Sequence, residues 1–116
     1  VDDDEDFRKS VREILELEDY GIIEASNGVE AISLLQNEDV DLIITDILMP
    51  ACEGNEFALE VKKARPDLKV IGMTGGGKIM SSRNVQEASS QILFEVVLKK
   101  PFTGEELLES VRKNIA

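Results

Sequence analysis

The sequence predicts an α/β fold: a doubly wound parallel sheet with helices on both faces, in a single domain spanning residues 1–116. Three observations carry this reading. Segments with the 3.6-residue apolar period of a helix alternate with short β-rich runs along the whole chain. The runs are nearly continuous in apolar residues, as in strands covered on both sides. Apolar residues make up 42% of 116 positions, enough for one buried core and too many for a disordered chain. Alternating strands and helices imply right-handed crossovers and hence a parallel sheet.

Taken in order, Phe7, Val11, Ile14 and Leu15 form one stripe of a helix running to about Glu18. "GIIEAS" reads as a short strand bounded by Gly21 and by the turn pair of Asn27 and Gly28. "VEAISLLQN" is helical, with Ala31, Leu34 and Leu35 on one face. "VDLIITD" is a buried strand. Phe57, Val61 and Ala64 stripe a third helix that ends before Pro66. "KVIGMT" is a strand, followed by a glycine-rich turn and a weaker helix near residues 79–91. "FEVVL" is the last strand. In "TGEELLESVRKNI", Leu107, Leu108, Val111 and Ile115 point inward, and Thr103 with Glu106 has the spacing of a capping box.

The first helix has no strand ahead of it; only Val1 stands where one would end. A buried strand of about five apolar residues contributes on the order of 10 kcal/mol, comparable to a small domain's whole stability. The expectation is therefore that the natural beginning is missing, or that something else fills the slot. An intact mass matching 116 residues on a cooperatively unfolding monomer would contradict both.

Charge and composition narrow the function. The formal net charge is −11, from 24 acids against 13 bases, which disfavours nucleic-acid and anionic-membrane surfaces. The single cysteine, Cys52, forms no internal disulfide and fits a reducing cytoplasm. No apolar run approaches the ~20 residues of a membrane span. The chain has no histidine, so Ser-His-Asp, Cys-His and His-ligated zinc chemistry are excluded within it.

Ligands of doubly wound sheets bind outside the carboxyl ends of the strands. Asp2 and Asp3 follow the absent strand, Asp46 ends "VDLIITD", Thr74 ends "KVIGMT", and Lys100 follows "FEVVL". Five acids stand in a row at positions 2 to 6. Asp4, Glu5 and Asp6 are accounted for by the positive end of the helix they open. Asp2 and Asp3 are not. Three carboxylates at one rim repel unless a cation joins them, and Mg²⁺ is a hard ion that accepts few carboxylates and keeps waters for a phosphate to displace. With an ammonium and a hydroxyl added, the site suits an acyl phosphate formed on an aspartate nucleophile.

"VDDD", "TDILMP", "MTG" and "LKKPF", in this order and at these strand ends, resemble the receiver domain of two-component response regulators. The match spans the chain apart from the first strand. It implies a flavodoxin-like five-stranded sheet of order 2-1-3-4-5, with Asp46 as phosphoacceptor. It further implies Mg²⁺ (or Mn²⁺) bound by Asp3, Asp46 and the carbonyl of Leu48, with Asp2 acting through water. Thr74 and Lys100 would hold phosphoryl oxygens, helped by backbone amides near Ile47 and Gly75, and the bond from Lys100 to Pro101 would be cis. Implied partners are a sensor histidine kinase or phosphotransfer protein and a downstream effector. The domain would be a switch that catalyses its own phosphorylation and dephosphorylation rather than a turnover enzyme.

Singly, each residue has a plainer reading: a solvated helix start for Asp2 and Asp3, a strand-end hydroxyl for Thr74, a surface amine for Lys100. Their joint order is what outweighs it. "GGGK" is not a Walker loop, because Ile79 follows Lys78 where Ser or Thr is required. Departures from the receiver pattern are also present. Val97 occupies the usual aromatic position, with Phe94 the candidate substitute, and Leu93 and Phe94 replace a small-residue pair. The glycines after Thr74 suggest output through the loop and helix that follow. Leu48 and Gly76 carry no polar group to orient water, so slow self-dephosphorylation is expected. Two alternatives stand beside the switch: a receiver-like interaction module that is never phosphorylated, and an aspartate-nucleophile hydrolase. The hydrolase is disfavoured because position 48 is Leu, not the Asp of D-x-D-x-T.

Overall fold

A computed structural model describes residues 1–47, 54–74 and 94–115. The described elements are α1 (Glu5–Glu16), α2 (Gly28–Leu35), β1 (Leu42–Asp46), α3 (Gly54–Ala64), β2 (Lys69–Thr74), β3 (Val96–Lys99) and α4 (Gly104–Ile115). The predicted helix near residues 79–91 and the glycine turn lie outside the described residues.

The three strands pair in parallel in the order β1-β2-β3. Leu42 to Asp46 lie opposite Lys69 to Met73, and Ile71 to Thr74 opposite Val96 to Lys99. Successive side chains of β2 point to opposite faces. Val70 packs with Ile43, Phe57, Val61 and Phe94, on the face covered by α2 and α3. Ile71 packs with Leu15, Leu98, Leu107 and Val111, on the face covered by α1 and α4. The sheet is therefore wound on both sides, as the sequence predicts. Gly72 is required where it stands: a Cβ there would lie 2.9 Å from Ile47 Cδ1 and 2.9 Å from Phe94 Cδ1.

Helix ends follow local chemistry. Asp4 caps α1 by accepting from the Phe7 amide at 3.1 Å. Thr103 and Glu106 form the predicted reciprocal box, with Thr103 N donating to Glu106 Oε1 at 2.8 Å and Glu106 N donating to Thr103 Oγ1 at 3.1 Å. Asn27 is also a cap, accepting from Glu30 N at 2.8 Å, while Glu30 Oε1 accepts from Ser26 N at 2.8 Å. The sequence pattern at Asn27 and Gly28 predicts only a turn.

Several expectations are corrected. "GIIEAS" carries no strand: the only backbone bond joining it to Val1 or Asp2 runs from Asp2 N to Ala25 O at 3.1 Å. One bond makes no ladder. α1 ends at Glu16, two residues early, and β3 spans Val96–Lys99 rather than beginning at Phe94, which is instead buried in the core. Ala64 and Ile115 are exposed, because α3 buries Phe57, Ala58 and Val61 and α4 buries Leu107 and Val111.

Val1 does end a strand path. Its amine donates to Ile44 O at 2.6 Å and its carbonyl accepts from Asp46 N at 2.9 Å, a parallel pairing against β1. Beyond Val1, an apolar cleft of about 230 Å³ lies between residues 21–25 and β1, lined in part by Val11, Leu15, Ile22, Leu34 and Phe57. No helix among the described residues is long and apolar enough to cross a membrane.

Candidate functional site

Parallel strands deliver their last residues to one rim. β1 ends at Asp46, β2 at Thr74 and β3 at Lys99, and Lys100 N extends the β2–β3 ladder by donating to Thr74 O at 2.7 Å. Because Val1 runs parallel to β1, Asp2 and Asp3 emerge at the same rim. The structure thus brings together Asp2, Asp3, Asp46, Thr74 and Lys100, from four segments of chain. Leu48 and Gly75 lie outside the described residues. The Ile47 amide is engaged in the sheet, donating to Met73 O at 2.9 Å.

Asp2 is 1% exposed, Asp46 8% and Thr74 3%, whereas Asp3 is exposed. Buried carboxylates require charge or hydrogen-bond partners. Lys100 Nζ supplies both, at 3.1 Å from Asp2 Oδ2 and 3.5 Å from Asp46 Oδ2. Asp2 Oδ1 accepts from the Asp4 amide at 2.9 Å, and Arg8 Nη1 donates to the Asp2 carbonyl at 2.7 Å. The bond between Lys100 and Pro101 is cis.

One carboxylate oxygen from each of Asp2, Asp3 and Asp46 lies within 4.8 Å of the others. An all-oxygen, triply anionic set on one open rim suits a hard divalent ion such as Mg²⁺, and the group fits the metal that the sequence implies.

Two neighbours of the site escape the sequence reading. Arg8 reaches Asp2 from the first turn of α1, braced by Glu24 Oε1 at 2.9 Å. Phe7, taken only as a stripe residue, presents its ring to Lys100. In the sequence both look like ordinary helix positions, since nothing in α1 alone tells which end of the sheet its first turn will meet.

A family model, the response regulator receiver domain, matches residues 1–112. The chain belongs to that family. It is similar to the response regulator MprA of Mycobacterium sp. (strain KMS), 31% identical over 112 residues, covering 97% of this chain and 47% of MprA. The receiver protein CpdR of Brucella abortus is 31% identical over 113 residues, covering 97% of this chain and 91% of its own. Among solved structures, the response regulator protein TrrA of Thermotoga maritima, in complex with Mg(2+)-BeF, superposes with a TM-score of 0.82 at 35% identity, covering 97% of this chain and 92% of TrrA. The chain spans about half the length of MprA. The fold is accordingly the flavodoxin-like α/β fold of receivers, and receivers act as signalling switches rather than turnover enzymes.

Proposed function

We propose that this receiver is a phosphorylation-dependent switch with Asp46 as its phosphoacceptor. The observation that carries the reading is the surroundings of Asp46: a carboxylate 8% exposed, with an ammonium 3.5 Å away and two further carboxylates close enough to share one cation. A phosphohistidine on a sensor kinase or phosphotransfer protein is the natural donor, since the chain has no histidine. An Asp46 oxygen attacks phosphorus, the new P–O bond forms as the P–N bond breaks, and the electron pair leaves with the donor imidazole.

Lys100 offers fixed positive charge to the incoming oxygens, and the Thr74 hydroxyl offers a donor from the neighbouring strand end. Asp2, Asp3 and Asp46, with the carbonyl of Leu48, would hold Mg²⁺ or Mn²⁺. When bound, that ion supplies charge neutralisation for the phosphoryl group and relieves the repulsion among the acids. The added phosphoryl charge then shifts an existing equilibrium between two partner-binding surfaces. The reading places the protein in the cytoplasm, with an effector domain or protein downstream, no direct nucleic-acid binding by this domain and no membrane partner.

The test is incubation with Mg²⁺ and acetyl phosphate followed by intact mass. The wild type gains one phosphoryl group and Asp46→Asn gains none; equal masses would refute the assignment. If the wild type also stays unmodified, the interaction-module reading, favoured by Val97 at the usual aromatic position, takes over. Because Leu48 and Gly76 bear no polar side chain, the phospho-form is expected to outlast that of receivers with amide or acid groups there. Rapid phosphate release from the purified phosphoprotein would contradict this.

A further inference from the structure

Phe7 is half-buried in the first turn of α1, and its ring belongs to the rim as much as to the helix. Lys100 Nζ lies 4.1 Å from the ring centroid. The same ring meets Phe102 edge-on, with centroids 5.7 Å apart and planes at 83°. One side chain thus touches both the ammonium and the residue two positions beyond it. We propose that Phe7 is a positioning residue for Lys100, its ring face holding the ammonium between Asp2 and Asp46 where a phosphoryl group arrives. This rests on the reading of Asp46 as phosphoacceptor.

Coulomb attraction alone leaves a lysine poorly directed. The ammonium is a compact, strongly hydrated charge on a flexible four-carbon stem. Here it has carboxylate oxygens at 3.1 and 3.5 Å, and the exposed Asp3 stands at the same rim. Each would draw it to a different place. An aromatic face attracts the cation along one direction and shields that side from water. Its N–H donors are then left to the carboxylates opposite. The edge contact from Phe102 sets the plane of the Phe7 ring, an arrangement that aromatic quadrupoles favour. Phe102 stands two residues after Lys100, so the Phe7 ring contacts the turn at both of these positions. Leucine would match much of the volume of Phe7 but has no quadrupole, whereas tyrosine keeps the face.

The experiment measures Asp46 phosphorylation by acetyl phosphate with Mg²⁺, as a function of donor concentration, in wild type, Phe7→Leu and Phe7→Tyr. Phe7→Leu is expected to lower the maximal rate about 3- to 10-fold with little change in KM, and Phe7→Tyr to come within about 2-fold of wild type. A wild-type rate for Phe7→Leu, or equal slowing by both variants, would overturn the proposal, the latter by making packing the cause. NMR of the wild type gives a readout independent of any variant's folding: the Lys100 ε-methylene protons should be shifted upfield by the ring current, and unshifted protons overturn the proposal. If the wild type gains no phosphoryl mass, the assignment of Asp46 fails on its own, and the ring-current shift alone decides whether Phe7 holds Lys100.

Discussion

β1 has two unlike flanks. Toward β2 it is paired along all five residues, and the side chains there, such as Val70 and Ile71, are 0% exposed. Toward residues 21–25 it meets only Val1, with the apolar cleft beyond. Yet the acidic rim is assembled from both: Asp46 and Thr74 from the well-paired flank, Asp2 and Asp3 from the thin one. On the first flank a hydrogen-bond ladder and a packed core place the side chains. On the second, Asp2 is only 1% exposed because of individual bonds, to Ala25, Asp4, Arg8 and Lys100. The rim is thus placed by the β1–β2 ladder on one side and by the bonds to Asp2 on the other.

The largest expected effect breaks the well-packed flank. Phe57 is 0% exposed in the core on the α2–α3 face, so Phe57→Ala should cost about 3–5 kcal/mol, read by urea unfolding. Gly72→Ala should follow at about 1–3 kcal/mol, because its Cβ would press on Ile47 and Phe94 inside a packed sheet. A Gly72→Ala protein as stable as wild type would mean that the β2 core yields more readily than its burial implies.

Hydrogen exchange sharpens the comparison without mutation. Along β1, the Ile47 amide points to β2 and the Asp46 amide to Val1. By the two-residue alternation of a strand, Ile44 N–H points to the thin flank as Asp46 N–H does. In the 116-residue chain the Ile44 amide should therefore exchange faster than the amides of Val70 and Ile71. Matching protection would show the thin flank to be as closed as the packed one.

How much of this was legible in the sequence follows the same division. The β1, β2 and β3 segments announce themselves by apolar runs, and Asp46, Thr74 and Lys100 by ending them; a parallel sheet then leaves only one rim for these side chains. The carboxylates of Asp2 and Asp3 were legible because a helix start explains Asp4 to Asp6 but not them. "GIIEAS" failed as a strand for a physical reason: period and composition describe a segment's own preference, whereas a ladder needs a neighbour. The cap at Asn27 was missed although Glu30 stands three residues on, in the spacing of a reciprocal cap. Phe7 and Arg8 were illegible as site residues, since their roles depend on where α1 docks.

Asn27→Ala removes the acceptor for Glu30 N and should cost about 1 kcal/mol, less than either core change. Its measurement by thermal unfolding also tests whether α2, next to the thin flank, unfolds with the rest of the sheet.

The smallest effect concerns the ions that tie α1 to residue 24, half-buried at Arg8 and Glu24 and exposed at Arg12. Arg12 Nη1 lies 2.5 Å from Glu24 Oε2, and Arg8 Nε 2.9 Å from Glu24 Oε1. Hydrogen bonds from Arg12 and then Arg8 hold the Glu24 carboxyl below its ordinary value of 4.5. A carboxyl whose pKa is depressed in the folded state binds fewer protons there than in the unfolded chain. Its contribution is therefore complete above about pH 4.5 and disappears as acid titrates the folded carboxylate. Arg12→Gln should lose a little stability at neutral pH, and the difference from wild type should narrow as the pH falls through the carboxylate range. Salt should narrow it too, since exposed pairs are screened. A difference that persisted unchanged in acid and in high salt would mean that Arg12 acts through the packing of its stem along α1, and that the thin flank gains a closure there that charge does not supply.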